Sequence, residues 1–382
     1  LDPFDPTAFL YDGIRKQTAN RPVDALIDLE ASAALNDQRA VYRSRLLLDK
    51  DQAARGTSVA RVYNDLGFPD LGAVEASRSL ALDPADASAH RFLSDIHQNT
   101  RRREIARVSE LTQAMMLQDL NINPVQPSTS ETNLNIVTSG GPAGAGFNEF
   151  TPLFQRNQAQ FSASAQAGSN GTRGGEAVVS GLYDRYSFSL GALNYETDGW
   201  RRNNGLEQDV YTAFAQAALS DTLNVQAEYR HRESTEGDLA FNFNPDDFIA
   251  SRRIGRKQET TRVGLRYSPA PQTHLLLSYI HGTREENLSE VIDLPPLLGT
   301  TTSTNRQRSR SKSDQVEGQL LHAMDTSNLV IGAAWNKSRR TDNVDLSIDD
   351  SILGNLLAIS GQEQFPTRHP RAYAYVNLRP NP

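Results

Sequence analysis

The feature that most constrains this chain is a period-two alternation that begins near residue 157 and recurs to the end. In "QAQFSASAQA", Ala159, Phe161, Ala163, Ala165 and Ala167 share one face, while Gln158, Gln160, Ser162, Ser164 and Gln166 share the other. In "NVQAEYRHR", Val225, Ala227 and Tyr229 oppose Gln226, Glu228, Arg230 and Arg232. Val263, Leu265 and Tyr267 oppose Arg262 and Arg266, and Val316, Gly318 and Leu320 oppose Gln315, Glu317 and Gln319. Successive side chains of a strand point to opposite faces, so each segment builds a sheet with one apolar and one densely polar face.

A water-soluble sandwich would alternate as well, and the connections separate the two cases. Ten strands are expected, near residues 157–168, 175–183, 185–196, 209–220, 222–234, 258–268, 273–284, 312–323, 326–338 and 370–379. Four connections are tight (Asp184, "SDT", "APQ" and "DTS"). They alternate with "DGWRRNNGLEQ" and with segments of roughly 20–30 residues. A sandwich has no reason to put every long loop at one end, whereas strands of about 9–13 residues with short turns on one side are the pattern of an antiparallel transmembrane β-barrel of the bacterial outer membrane. Tyr183, Tyr186, Tyr195, Tyr211, Tyr229, Tyr267, Tyr279 and Trp335 fall at or near strand ends, as an aromatic girdle would. The last stretch, "AYAYVNLRPNP", stops on turn residues, so the expectation is part of a larger barrel continued outside this chain.

Before residue 120 the apolar spacing is helical. In "VDALIDLEASAALND", Val23, Leu26, Ile27, Ala31 and Ala34 recur every three to four residues, which predicts one buried face. The segment "SVARVYNDLGFPDLGAVEASRSLALDP" resembles a tetratricopeptide repeat. Tyr63 stands at the mid-helix aromatic, Gly72, Ala76 and Ser79 supply small residues where paired helices touch, and Pro84 ends the second helix. Weaker units place Gly13, Ala25 and Ser32 before it and Leu93 and Ala106 after it, with an insertion around "DKDQAARGT". The fold class expected is therefore α+β and multi-domain: helical hairpins over 1–118, a Pro/Gly-rich linker over 119–156 and the barrel over 157–382. If the short turns are periplasmic, the first strand enters from the periplasm and the helical module lies there too. Periplasmic repeats followed by a barrel are similar in architecture to the exopolysaccharide export porins, although no motif of that family is matched residue by residue.

Composition narrows the function. The net charge is −7 and there is no cysteine, which argues against a nucleic-acid partner and excludes a disulfide framework or a Cys-bound metal. Mean hydropathy is −0.54, and no apolar run approaches the roughly 20 residues of a spanning helix. "LDPFDPTAFLYDG" has no export-signal pattern. "SGGPAGAG" lacks the Lys-Ser/Thr of a phosphate-binding loop, "DNVDLSIDDS" lacks the Gly and Glu of a calcium loop, and Glu228 with Glu317 is the nearest thing to a catalytic carboxylate pair. No enzyme, cofactor or metal is expected. The expected pore lining is Glu228, Arg230, Arg232, Arg262, Arg266, Gln315, Glu317 and Gln319. Arg306, Arg308, Arg310 and Lys312 share the outward parity and are expected to face lipopolysaccharide phosphates. The reading is an outer-membrane channel for a polymer or solute, with outer-membrane lipid around it and a periplasmic protein or polymer on its repeats. The alternative is a surface adhesin or assembly scaffold with the barrel as anchor.

Overall fold

The structure, a computed structural model, describes residues 4–98, 104–120, 154, 156–239, 244, 246–324 and 326–378. Most of the expected linker, with "SGGPAGAG", lies outside the described residues. Six helices come first: α1 (Pro6–Thr18), α2 (Pro22–Ala34), α3 (Arg45–Asp65), α4 (Pro69–Leu82), α5 (Ala87–Gln98) and α6 (Glu104–Leu117). They pack in sequence order as hairpins, α1 on α2, α3 on α4 and α5 on α6. Asp5 and Ser44 cap α1 and α3 by accepting from the backbone N–H groups of Thr7 and Leu47, and a proline opens α1, α2 and α4.

Small residues set how closely the helices approach. A Cβ on Gly72 would stand 2.7 Å from the Ala60 carbonyl oxygen and 2.9 Å from the Phe92 ring. Ala76 and Ser79 are buried on the same side of α4, Pro84 is buried just beyond it, and Tyr63 packs beside Leu29 and Val62 with its hydroxyl donating to Glu30. Two expectations fail here. In α2 the buried residues are Ala25, Leu29 and Ser32, while Val23 and Ile27 are exposed, because a close helix contact selects small residues over bulky ones. The supposed insertion "DKDQAARGT" lies inside α3, where several buried polar groups find partners: Arg55 donates to Ser32 Oγ and Asn36 Oδ1, and Asp51 pairs with Arg39.

Ten strands follow as one antiparallel meander, each beside its sequence neighbour: β1 (Gln158–Ala167), β2 (Arg173–Tyr183), β3 (Tyr186–Thr197), β4 (Leu206–Ala218), β5 (Leu223–Glu236), β6 (Arg253–Ala270), β7 (Thr273–Leu294), β8 (Thr301–Ala323), β9 (Ser327–Asp350) and β10 (Gly354–Leu378). The sheet is open, with β1 and β10 at its edges. The short connections after β2, β4, β6 and β8 share one end. Of the three expected loops of 20–30 residues, the one between β5 and β6 remains largely outside the strands, and the other two are largely strand: β7 and β8 run 22 and 23 residues and β9 and β10 run 24 and 25. At about 3.3 Å per residue these hairpins reach roughly 70–80 Å. The β1–β2 turn carries Asn170 and Gly171 at φ 56° and 65°, the left-handed pair of a tight hairpin. Asp350 ties the distal tips, accepting from the backbone of Leu353, Ile352 and Gly299 and from the Thr301 hydroxyl, which holds its carboxyl far below the usual range.

Candidate functional site

Register aligns the outer face of β6–β10 into three successive apolar rows. Tyr267, Leu275, Leu320, Ile331 and Ala374 form the row nearest the short turns. Leu265, Leu277, Gly318, Ala333 and Ala372 form the next, and Val263, Tyr279, Val316, Trp335 and Pro370 the third. Tyr267, Leu277, Tyr279, Val316 and Trp335 are all exposed. Ala159, Phe161 and Ala163 fall on the same outer face through β2 and β3.

The opposite, inner face is polar, and helix α6 lies across it. Met115 packs on Phe214 of β4, and Met116 and Leu117 pack on Leu276 of β7 and Leu321 of β8. Gly264 of β6 leaves the space for α6, since a Cβ there would stand 2.8 Å from Cγ and Sδ of Met116. Arg266 donates to the Leu117 carbonyl at 2.8 Å. Asn328, buried at the start of β9, donates to the carbonyls of Ala81 and Leu82 at the end of α4. The helices thus meet the sheet at its short-turn end.

Glu317 of β8 gathers donors from three elements. Its Oε2 accepts from Ser109 Oγ of α6 (2.8 Å), Gln315 Nε2 (3.2 Å) and Arg371 Nη2 of β10 (3.1 Å), and its Oε1 accepts from the Tyr373 hydroxyl (2.8 Å). Gly332 makes room for that phenol ring. Gln319 donates to the same hydroxyl. On β5 and β6, Arg262 pairs with Glu228 at 2.6 Å, both buried. Arg230 and Arg232 continue the inner face of β5, with Arg232 reaching Gln208. Arg262 and Arg371 are thus neutralised by carboxylates, whereas Arg266 and Arg232 are met by a backbone carbonyl and an amide.

All eight residues expected to line a pore lie on this inner face. Glu228 and Glu317 do not form a carboxylate pair: they stand on strands three apart, about 14 Å along the sheet, each with its own partners. The Oε1 atoms of Gln216, Gln226 and Gln319 are buried without a protein donor among the described residues. The residues missed by sequence reasoning are Ser109, Arg371, Tyr373 and Asn328. Only Arg371 and Tyr373 had a signal, their shared parity in "RAYAYV". Of the histidines, His281 pairs with Asp314 and His274 bonds Ser268, and no group of metal-ligating side chains occurs among the described residues.

On the outer face Arg306, Arg308, Arg310 and Lys312 keep the parity of Val316, because β8 pairs without a shift. Arg308 and Arg310 are both engaged by Glu285 of β7, at 2.7 and 3.0 Å.

No family model and no curated protein matches the chain. Among solved structures it is similar to the ferric citrate transporter FecA (9% identity, TM-score 0.41, covering 58% of this chain and 35% of that one). It is also similar to BauA, the ferric preacinetobactin receptor of Acinetobacter baumannii (8%, 0.38, 55% and 44%), and to the ferric-catecholate import receptor Fiu of E. coli K12 (10%, 0.35, 62% and 54%). The chain spans about a third to a half of those structures. At these identities and scores the likeness says nothing of activity or ligand.

Proposed function

We propose that the chain is an outer-membrane β-barrel transport protein whose helical module sits on the periplasmic side and whose helix α6 gates the lumen. Three apolar rows on an exposed outer face, with Tyr211, Tyr229, Tyr279 and Trp335 at their distal margin and Tyr183, Tyr186 and Tyr267 at the other, are the surface that lipid solvates. The observation that carries the gate is α6 lying on a polar inner wall, joined to it through Ser109–Glu317 and Leu117–Arg266. The hairpins α1/α2 and α3/α4, with close contacts at Gly13 and Gly72, suit a tetratricopeptide-like scaffold that holds a periplasmic protein or polymer. A second reading, an adhesin or scaffold with a plugged barrel as anchor, draws support from the same α6 and from the length of β7–β10.

The given sequence has no cysteine, and any elsewhere in the full-length protein is replaced by serine before the test. In the full-length protein, a Met116→Cys/Gly264→Cys pair locks α6 to the wall when oxidised, and Ser109→Asp places a second carboxylate against Glu317 and expels it. In planar bilayers, Ser109→Asp raises conductance, and the oxidised pair stays at background until reduced. If correctly inserted protein shows the same conductance in all these states, α6 is not a gate, and if none conducts while the distal hairpins still bind surfaces, the anchor reading replaces the channel.

A further inference from the structure

The outer face of β8–β10 changes character within one residue step beyond the row of Val316 and Trp335. In the next row Lys337 stands directly opposite Arg368, and in the one after it Lys312 stands directly opposite Arg339. Like charges directly across a ladder destabilise it, so two such pairs stacked together are a standing cost that a bound anion would remove. Among the residues of these rows on β8–β10, one carboxylate, Asp314, stands directly opposite Lys337 and also accepts from the Tyr279 hydroxyl (2.9 Å) and meets His281 (2.8 Å), which leaves a single, shared anion beside four cations. All four cations are exposed, two on β9, one on each neighbour, immediately beyond the Trp335 ring. Further along the same face lies an open groove of about 920 Å3, lined among others by Arg253, Asn287, Arg306, Asn343, Asp345 and Gln362. Apolar rows, a cation cluster and a groove thus succeed one another along one face.

We propose that Lys312, Lys337, Arg339 and Arg368 bind the phosphate of an outer-leaflet glycolipid, lipopolysaccharide, whose acyl chains lie on the apolar rows and whose sugars lie in the groove. The site rests on the membrane reading above. It differs from the stretch Arg306–Lys312 expected from sequence, because Glu285 already occupies Arg308 and Arg310, whereas the partners of Lys312 come from strands whose pairing the sequence does not display. Ammonium and guanidinium groups make charge-assisted hydrogen bonds to phosphate oxygens, and arginine does so in bidentate form.

The test uses the full-length protein in detergent, titrated with lipid A, with enzymatically dephosphorylated lipid A and with inorganic phosphate. Lipid A is expected to bind at least about tenfold more tightly than its dephosphorylated form. In the variant carrying Lys312→Gln, Lys337→Gln, Arg339→Gln and Arg368→Gln that preference disappears, while Arg310→Gln, on the same face but outside the groove, keeps it. A preference retained by the quadruple variant overturns the site, and inorganic phosphate binding as tightly as lipid A overturns the lipid as its source. Heat-modifiable mobility and outer-membrane fractionation of the same proteins separate the two levels: a protein that inserts without the preference refutes this inference alone, and one that never reaches the membrane refutes both.

Discussion

Gly264 shows how one residue fixes the relation between the two halves of the chain. It sits on the inner face between Arg262 and Arg266, where any side chain would occupy the space Met116 now fills. Gly264→Leu is expected to push α6 off the wall at a cost of about 1–3 kcal/mol, the usual penalty of overpacking. The sheet should still assemble, since the substitution leaves every ladder hydrogen bond in place. Hydrogen exchange over residues 109–117 should accelerate while the heat-modifiable band persists, and unchanged protection there would contradict the packing described. The inner placement of Gln315, Glu317 and Gln319 was legible from parity alone. The convergence of Ser109, Arg371 and Tyr373 on Glu317 was not, because it joins residues up to 208 positions apart that no local pattern connects.

At the scale of elements, the α5–α6 hairpin carries a pH response. His90 of α5 is buried, with Nδ1 against Glu110 of α6 and Nε2 3.0 Å from the Pro84 carbonyl. Burial disfavours the imidazolium, but Glu110, the Pro84 carbonyl and nearby Asp86 together raise its pKa above the ordinary value. A group whose folded pKa is raised contributes its full stability below the unfolded value, about 6.5, and loses it as pH climbs through the folded one. Exchange in 109–117, corrected for intrinsic rate, should therefore rise as pH climbs above about 6.5 and through the raised folded value, and His90→Gln should flatten that profile. A flat profile in the unmodified protein would exclude the latch. The strands were legible where one face is apolar and the other polar, as in β4 and β5. The distal halves of β7–β10 were misread as loops for a physical reason: in "TTSTNRQRSRSKSD" polar residues occupy both faces, so the hydrophobic period vanishes while the ladder continues.

Over the whole molecule, the connections and the helices fix a sidedness. The turns after β2, β4, β6 and β8 and the contacts of Asn328 with α4 and of Leu321 with α6 lie at one end, and the tips held by Asp350 at the other, as the parity of strand count and chain direction requires. That the helices would share the short-turn side could be read from chain direction, but not that α6 would lie across the inner face, since its residues are ordinary for a helix packed on any neighbour. The given sequence has no cysteine, so once any cysteine elsewhere in the full-length protein is replaced, single substitutions report each end. Val23 on α2 and Ile352 in the β9–β10 turn are both well exposed, at 61% and 69%. In intact cells expressing the full-length protein, a membrane-impermeant maleimide is expected to label Ile352→Cys at once and Val23→Cys only after the outer membrane is permeabilised. The reverse order would place the helical module outside the cell, and labelling of both positions without permeabilisation would mean that no membrane separates them, removing the basis for a gated transmembrane passage.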